Sequence, residues 1–217
     1  MRALVIDSSS AAVVVAVVDA SSAARVLAQQ TAVAAHAHGE LLAPAIAACL
    51  ESAGGALDAV VAGVGPGPFT GLRVGLVSAA AFGYARSIPT YGVCSLDGIG
   101  ATLPGTVLVA GDARRREIYW AVYRNKVRQG DPAVDRPADV LARLSDARPD
   151  AMAGAGARMY ADVLGLPLLD RDFPDPVALA GFAADRIRSA APSETLLPAY
   201  LREPDATPPV MHGTPLV

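Results

Sequence analysis

Short β-branched runs dominate the first third of the chain. "ALVID" (3–7) and "AVVVAVV" (12–18) flank the turn Ser8-Ser9-Ser10, and "RVLAQQTAV" (25–33) follows a second turn at "DASSA" (19–23). Three strands joined by short turns predict an antiparallel meander. The period then changes: from about His38 to Ser52, residues Leu41, Leu42, Ala45, Ile46, Cys49 and Leu50 fall on one helical face. Pro44 must sit in the first turn of that helix or kink it. "DAVVAGV" (58–64) reads as a buried strand, 71–85 as a helix and "TYGVCS" (90–95) as a further strand. The order βββαβαβ predicts a mixed sheet with a helix layer.

"GTVLVAGDARRREIYWAVYRN" (105–125) restarts the theme: a strand ending in Asp112, a short turn and the alternating strand "EIYWAVY". A second lobe on the plan of the first is expected, with helices at 137–144 and 176–188 and a strand and loop at "AMAGAG" (151–156). The expected division is 1–103, 104–203 and a loose tail at 204–217, where prolines accumulate. The helix at 176–188 is a candidate to pack back on the first lobe.

Composition narrows the class. Hydrophobic residues make up 53% of the 217 and aromatics only 5%, so a globular core of Ala, Val and Leu is expected. The formal charge of −3 lacks the basic field of a stand-alone nucleic-acid binder. Arg114-Arg115-Arg116 is the densest positive spot and reads as a solvated corner. Cys49 and Cys94 fit buried, reduced thiols of a cytoplasmic protein, and neither stands near a partner His motif. No export signal or membrane-length apolar run is read.

"GPGPFTGLRVGL" (65–76) carries the candidate chemistry. It is not Walker A, because Leu72 follows Gly71 where a Lys is needed, and Pro66 and Pro68 lack the N–H groups of a phosphate cradle. Thr70 is the expected N-cap of the helix. Gly71, Gly75, Ala79 and Gly83 recur every fourth residue as a small-residue row. Interior Gly75 and Gly83 together cost about 2 kcal/mol of helix stability relative to Ala. Something must therefore approach this backbone closely: the chain's own sheet, or a helix of another chain.

The same loop resembles the motif of the TsaB family, also called YeaZ, of bacterial tRNA threonylcarbamoyladenosine biosynthesis. "LVIDSS" (4–9), "HGELLAPAI" (38–46), "DARRREIYWAVY" (112–123) and "PAYLRE" (198–203) match in the expected order. The resemblance implies a two-lobed ASKHA fold, shared with actin, hexokinase and Hsp70-like ATPases, each lobe a ribonuclease H-like mixed sheet with helices and the second lobe reduced. It also implies a non-catalytic scaffold subunit. Its paralogue TsaD carries the metal and transfers the threonylcarbamoyl group to N6 of adenosine 37 in tRNAs reading ANN codons, with the ATPase TsaE joining them. The tRNA is then held mainly through the complex.

Pairing, with TsaD or as a homodimer in isolation, is implied through two first-lobe helices. Carried onto this sequence, the interface is His38, Leu41, Leu42, Ala45 and Ile46 with Thr70, Gly71, Arg73, Val74, Gly75, Ser78, Ala79 and Phe82. On that reading the small-residue row lets partner helices come close.

The phosphate turns of ASKHA enzymes correspond to Asp7-Ser8-Ser9-Ser10 and Gly111-Asp112-Ala113-Arg114. Both keep an Asp but lose the glycines inside the turn, leaving Asp7, Ser8, Ser9 and Asp112 as degenerate nucleotide positions. No cofactor is expected on the chain alone, while a nucleotide at the shared surface stays open. The active paralogue's metal-binding His-x-x-x-His corresponds here to "HAHGE", in which His36 and Glu40 stand four apart while His36 and His38 have the wrong spacing for one helical face. An independent nucleotide-dependent enzyme and a metallopeptidase are the competing readings; the second needs a His-Glu-x-x-His site that the sequence lacks.

Overall fold

Strands β1 (Arg2–Asp7), β2 (Ala12–Asp19) and β3 (Arg25–Val33) form the expected meander, β1 and β2 almost wholly buried. They belong to a computed structural model that describes residues 1–21, 24–34, 37–144 and 148–202. Helix α1 (His38–Ala53) leads into β4 (Ala59–Gly63), and α2 (Phe69–Arg86) into β5 (Thr90–Val93). The two new strands join β1 in parallel, giving the order β3-β2-β1-β4-β5. Pro44 lies inside α1 beyond its first turn and is exposed.

A short helix α3 (Asp97–Gly100) opens the second lobe. Then β6 (Thr106–Asp112), β7 (Ile118–Arg124) and β8 (Val127–Asp135) repeat the meander, α4 (Pro137–Arg143) follows, and β9 (Ala151–Ala153) joins β6 in parallel. The order β8-β7-β6-β9 reproduces the first four strands of the other sheet. β7 was expected to alternate, yet six of its seven residues are buried, because helices cover both faces of this sheet. The strand β8, unread in the sequence, is a polar edge interrupted by Gly130 and Pro132.

Each sheet has a helix layer on each side. α1 and α2 cover one face of the first sheet through Leu42, Cys49, Leu76 and Ala79 against Leu4, Ile6, Val15 and Val60. The last helix, α7 (Pro176–Arg188), returns to the other face, where Leu179, Ala180 and Ala183 meet Val5, Val61 and Tyr91. Asp175 caps it, accepting from the N–H groups of Val177 and Ala178. Short helices α5 (Ala155–Met159) and α6 (Ala161–Leu164) lie with α4 on the outer face of the second sheet.

A buried polar knot ties α3 to β7 and β8. Tyr123 Oη on β7 donates to Asp97 Oδ1 at 2.7 Å, and Arg128 Nη1 reaches both oxygens of that carboxylate at 3.0 and 3.2 Å. After α7 the chain straps back along the exposed edge of β5. Glu194 N–H donates to the Thr90 carbonyl at 2.9 Å, and Glu194 Oε2 accepts from Gly92 N–H at 3.0 Å. Edge groups that would otherwise be unpaired are thereby satisfied. The expected tail at 204–217, with His212, lies outside the described residues, as does His36.

Candidate functional site

The glycine–proline loop between β4 and α2 lies on the β1–β2 turn, and its glycines are sites of close backbone approach. A methyl group at Gly67 would overlap the Ser9 carbonyl, and one at Gly63 would overlap the Asp7 carboxylate. Gly65 has φ of +95° and precedes a cis peptide bond to Pro66. Thr70 does not cap α2 as expected. The helix begins two residues earlier than read, at Phe69, and Pro68, extended at φ −60° and ψ 136°, occupies the cap position without a side-chain bond.

The small-residue row continues this contact, and the expectation that it receives another chain is corrected. Gly71, Gly75, Ala79 and Gly83 are all buried on the inner side of α2. A methyl at Gly71 would stand 2.7 Å from the Ser8 carbonyl oxygen. At Gly75 it would strike Ser8 Oγ, and at Gly83 the Thr90 side chain. Leu42 is also core, and His38 is buried with Nε2 donating to the Ser10 carbonyl at 2.8 Å. Among the expected interface residues, Arg73 and Thr70 are exposed, and Leu41, Ala45, Ile46, Val74, Ser78 and Phe82 are half-buried along the α1–α2 seam.

The same packing engages the first nucleotide turn. Ser8 Oγ donates to the Gly71 carbonyl at 2.7 Å, and Ser9 Oγ donates to Asp7 Oδ1 at 2.8 Å. Asp7 is fully buried, and its Oδ2 has no hydrogen-bond partner. Desolvation pushes its carboxyl above the ordinary carboxylate range, with the neighbouring Ser95 and Ser9 groups pulling it back only in part. The side chains of Asp7, Ser8 and Ser9 are therefore engaged within the fold. In the second turn, Asp112 Oδ1 accepts from the Arg114 N–H at 2.8 Å and its Oδ2 faces Arg114 Nη1 at 3.5 Å.

A prediction follows from Asp7. Its raised folded value means the native state holds the proton more tightly, so stability falls as pH rises from the ordinary 3.8 through that raised value. Asp7→Asn removes the uncompensated charge. Its melting temperature should exceed the parent's by about 2–4 °C at pH 8, the shift that ~1 kcal/mol gives in a chain of this size. The gain should vanish near pH 4, and equal gains at both pH values would show that the charge is not the cause.

Beside the engaged turn a cavity of about 330 Å³ opens, lined by Ser10, His38, Gly39, Phe69, Thr70 and Arg114 among others. Arg114, on its second-lobe side, begins the run Arg114, Arg115 and Arg116, whose φ values are 60°, 53° and 62°. Three successive left-handed non-glycine residues cost on the order of 3 kcal/mol or more. Across from them, Phe69 stacks on Tyr200 with centroids 5.1 Å apart, and Arg73 Nε donates to Tyr200 Oη at 3.0 Å. Arg202 closes the ring, donating to the Ala113 carbonyl and pairing with Glu117. Sequence reasoning missed Phe69, Tyr200 and Arg202 as partners. The available signal was that two quoted motifs, "GPGPFTGLR" and "PAYLRE", each pair an aromatic with an Arg.

Among the described residues no group of three or more His, Cys, Asp or Glu side chains converges as a metal site. Both cysteines are free. Cys49 is buried, and Cys94 is half-buried with its thiol pushed up to about 11 by desolvation.

The family model described as "TsaD: tRNA N6-adenosine threonylcarbamoyltransferase" matches residues 23–200. The chain is 31% identical over 161 residues to the tRNA threonylcarbamoyladenosine biosynthesis protein TsaB of Escherichia coli, covering 65% of this chain and 68% of that one. The chain belongs to the TsaB (YeaZ) family. YeaZ from Pseudomonas aeruginosa superimposes with a TM-score of 0.75 at 25% identity, covering 92% of this chain and all of that one. Likeness to the ethanolamine utilization protein EutJ of Carboxydothermus hydrogenoformans, with a TM-score of 0.53 at 11% identity, shows the ASKHA-type fold alone. An uncharacterized Mycobacterium leprae protein is 44% identical over 99% of this chain, which spans only 58% of that relative's length. Family membership connects the chain to tRNA threonylcarbamoyladenosine biosynthesis.

Proposed function

We propose that this chain is the non-catalytic scaffold subunit of a complex in which TsaD, assisted by TsaE, forms N6-threonylcarbamoyladenosine in tRNA. The observation that carries this reading is the engagement of the first nucleotide turn by the chain's own motif loop, with Ser8 bonded to Gly71 and Asp7 fully buried. Metal and transfer chemistry then belong to TsaD, and this chain contributes surface. The match to the TsaD family model over most of the chain supports a paralogous pair built on one plan.

In this reading the docking surface is the outer seam between α1 and α2. Leu41, Ala45 and Ile46 line it on α1, and Val74, Ser78 and Phe82, spaced at four residues, on α2. In isolation the same seam pairs two copies. Co-elution of the chain with TsaD on a sizing column tests this, using Ser78→Arg at the centre of the seam. Ser78 is half-buried and polar, so the variant is expected to stay folded. Its pairing should weaken at least ~30-fold, the effect of losing ~2 kcal/mol at an interface centre. A folded variant that co-elutes as the parent does would move the interface elsewhere.

A further inference from the structure

The chain passes between its lobes twice, before α3 and before α7, and the two crossings lie together. Asp175 N–H donates to the Gly98 carbonyl at 2.9 Å, and a methyl at Gly98 would stand 2.8 Å from Pro174 Cβ and 2.9 Å from Leu179. Leu96 and Ile99 belong to the core of the second lobe, whereas Leu179 belongs to that of the first. Two adjacent crossings leave a hinge about the line through them unless another contact spans the lobes.

The strap supplies such a contact. It is held to the first lobe by the Ala199 N–H, which donates to the Val64 carbonyl at 2.8 Å, and by Tyr200, which stacks on Phe69 and accepts from Arg73 Nε at 3.0 Å. Two residues on, Arg202 reaches the second lobe. Its Nη1 donates to the Ala113 carbonyl at 3.2 Å and its Nη2 pairs with the Glu117 carboxylate, so one guanidinium grips both ends of the 114–116 turn. Those three residues hold left-handed φ, a state that persists only where the surroundings enforce it. The grip can also let go. Residues 193–202 form no helix or strand, and Arg202 and Glu117 are only partly buried, so the pair can break without unfolding either sheet.

We propose that Tyr200 and Arg202 form a releasable clasp that holds the lobes closed about the α3–α7 hinge and keeps the 114–116 turn in its strained form. Release lets the turn relax and the lobes part. The cavity beside the β1–β2 turn then widens, because Arg114 lines it from the second lobe and Ser10, His38, Phe69 and Thr70 from the first. The clasp needs no partner chain and holds whether or not the scaffold role does.

Double electron–electron resonance on the full chain tests it, with nitroxides at Arg25→Cys on β3 and Asp162→Cys on α6, both exposed positions. Cys49 and Cys94 are replaced by alanine, and an excess of unlabelled chain dilutes contacts between copies. The parent should give one narrow distance distribution. Glu117→Gln and Arg202→Gln should each widen it roughly twofold, as a freed hinge does, and Tyr200→Ala should do the same from the other lobe. Either break opens the whole clasp, so Tyr200→Ala/Arg202→Gln should be no wider than its single variants. In each of these variants the Ala113 N–H, bonded to the Glu117 carbonyl at 3.0 Å, should exchange at least ~5-fold faster as the turn relaxes.

Melting curves accompany every variant. Glu117→Gln keeps the shape of a partly exposed side chain, so it is expected to stay folded. An unchanged distribution in folded Glu117→Gln and Arg202→Gln overturns the clasp. Widening by Tyr200→Ala alone also overturns it, because the strap would then act only within the first lobe.

Discussion

Gly67→Ala is expected to melt about 6–12 °C below the parent, from an overpacking cost of roughly 3 kcal/mol in a chain of this size. The added methyl would meet backbone, the carbonyl group and Cα of Ser9, so no rotamer change relieves it. Ser9 cannot retreat easily, because both its N–H and its hydroxyl are bonded to Asp7 Oδ1. Gly75→Ala makes a softer clash with Ser8 Oγ, whose hydroxyl is held by the Gly71 carbonyl. Ser8→Ala removes the struck atom, so the Gly75→Ala/Ser8→Ala pair should recover about 1 kcal/mol relative to the summed single variants. Leu at Gly75 should unfold the chain, whereas a docking strip would lose only its partner. Parent-like melting of Gly75→Ala would mean that the row does not pack where the structure places it.

That result bears on what the sequence could say. Periodicity found the row at 71, 75, 79 and 83 but not the direction it faces. α2 is apolar nearly all round: Leu72 and Leu76 point inward with the glycines, while Val77 and Tyr84 stand exposed. Without a polar side there is no amphipathic signal to orient the helix. The first sheet was more legible, because its β-branched runs and short turns constrain both pairing and order. Thr70 misled as a cap because Pro68 already sets the entry into the helix from extended backbone.

The site was legible only in pieces. Asp7 and Asp112 each end a first strand and begin a turn, which the matching meanders made visible. Their use inside the fold depends on contacts across 63 residues, from Ser8 to Gly71, that no local pattern encodes. The strap was hidden for the same reason: Tyr200 reaches Arg73 across 127 residues. The arginine run read as a solvated corner, and it is exposed, but only the fold sets Arg114 and Phe69 on one cavity.

The second large effect concerns catalysis. On the scaffold reading proposed here, a first turn with Asp7 buried and the Ser8 and Ser9 hydroxyls bonded internally offers no free side-chain group to a phosphate. ATP turnover by this chain alone should stay at background. Its contribution should instead be conditional, because a scaffold acts through the TsaD conformation or encounter that it stabilises and does nothing without TsaD.

The yield of N6-threonylcarbamoyladenosine in a purified ANN-reading tRNA tests this account most directly. TsaD, TsaE and the donor-forming enzyme are incubated with and without the chain, and the chain is incubated alone with tRNA and donor. The account predicts modified tRNA only in the mixture that contains both TsaD and this chain. Modification by the chain alone, or equal yield when it is omitted, would contradict it.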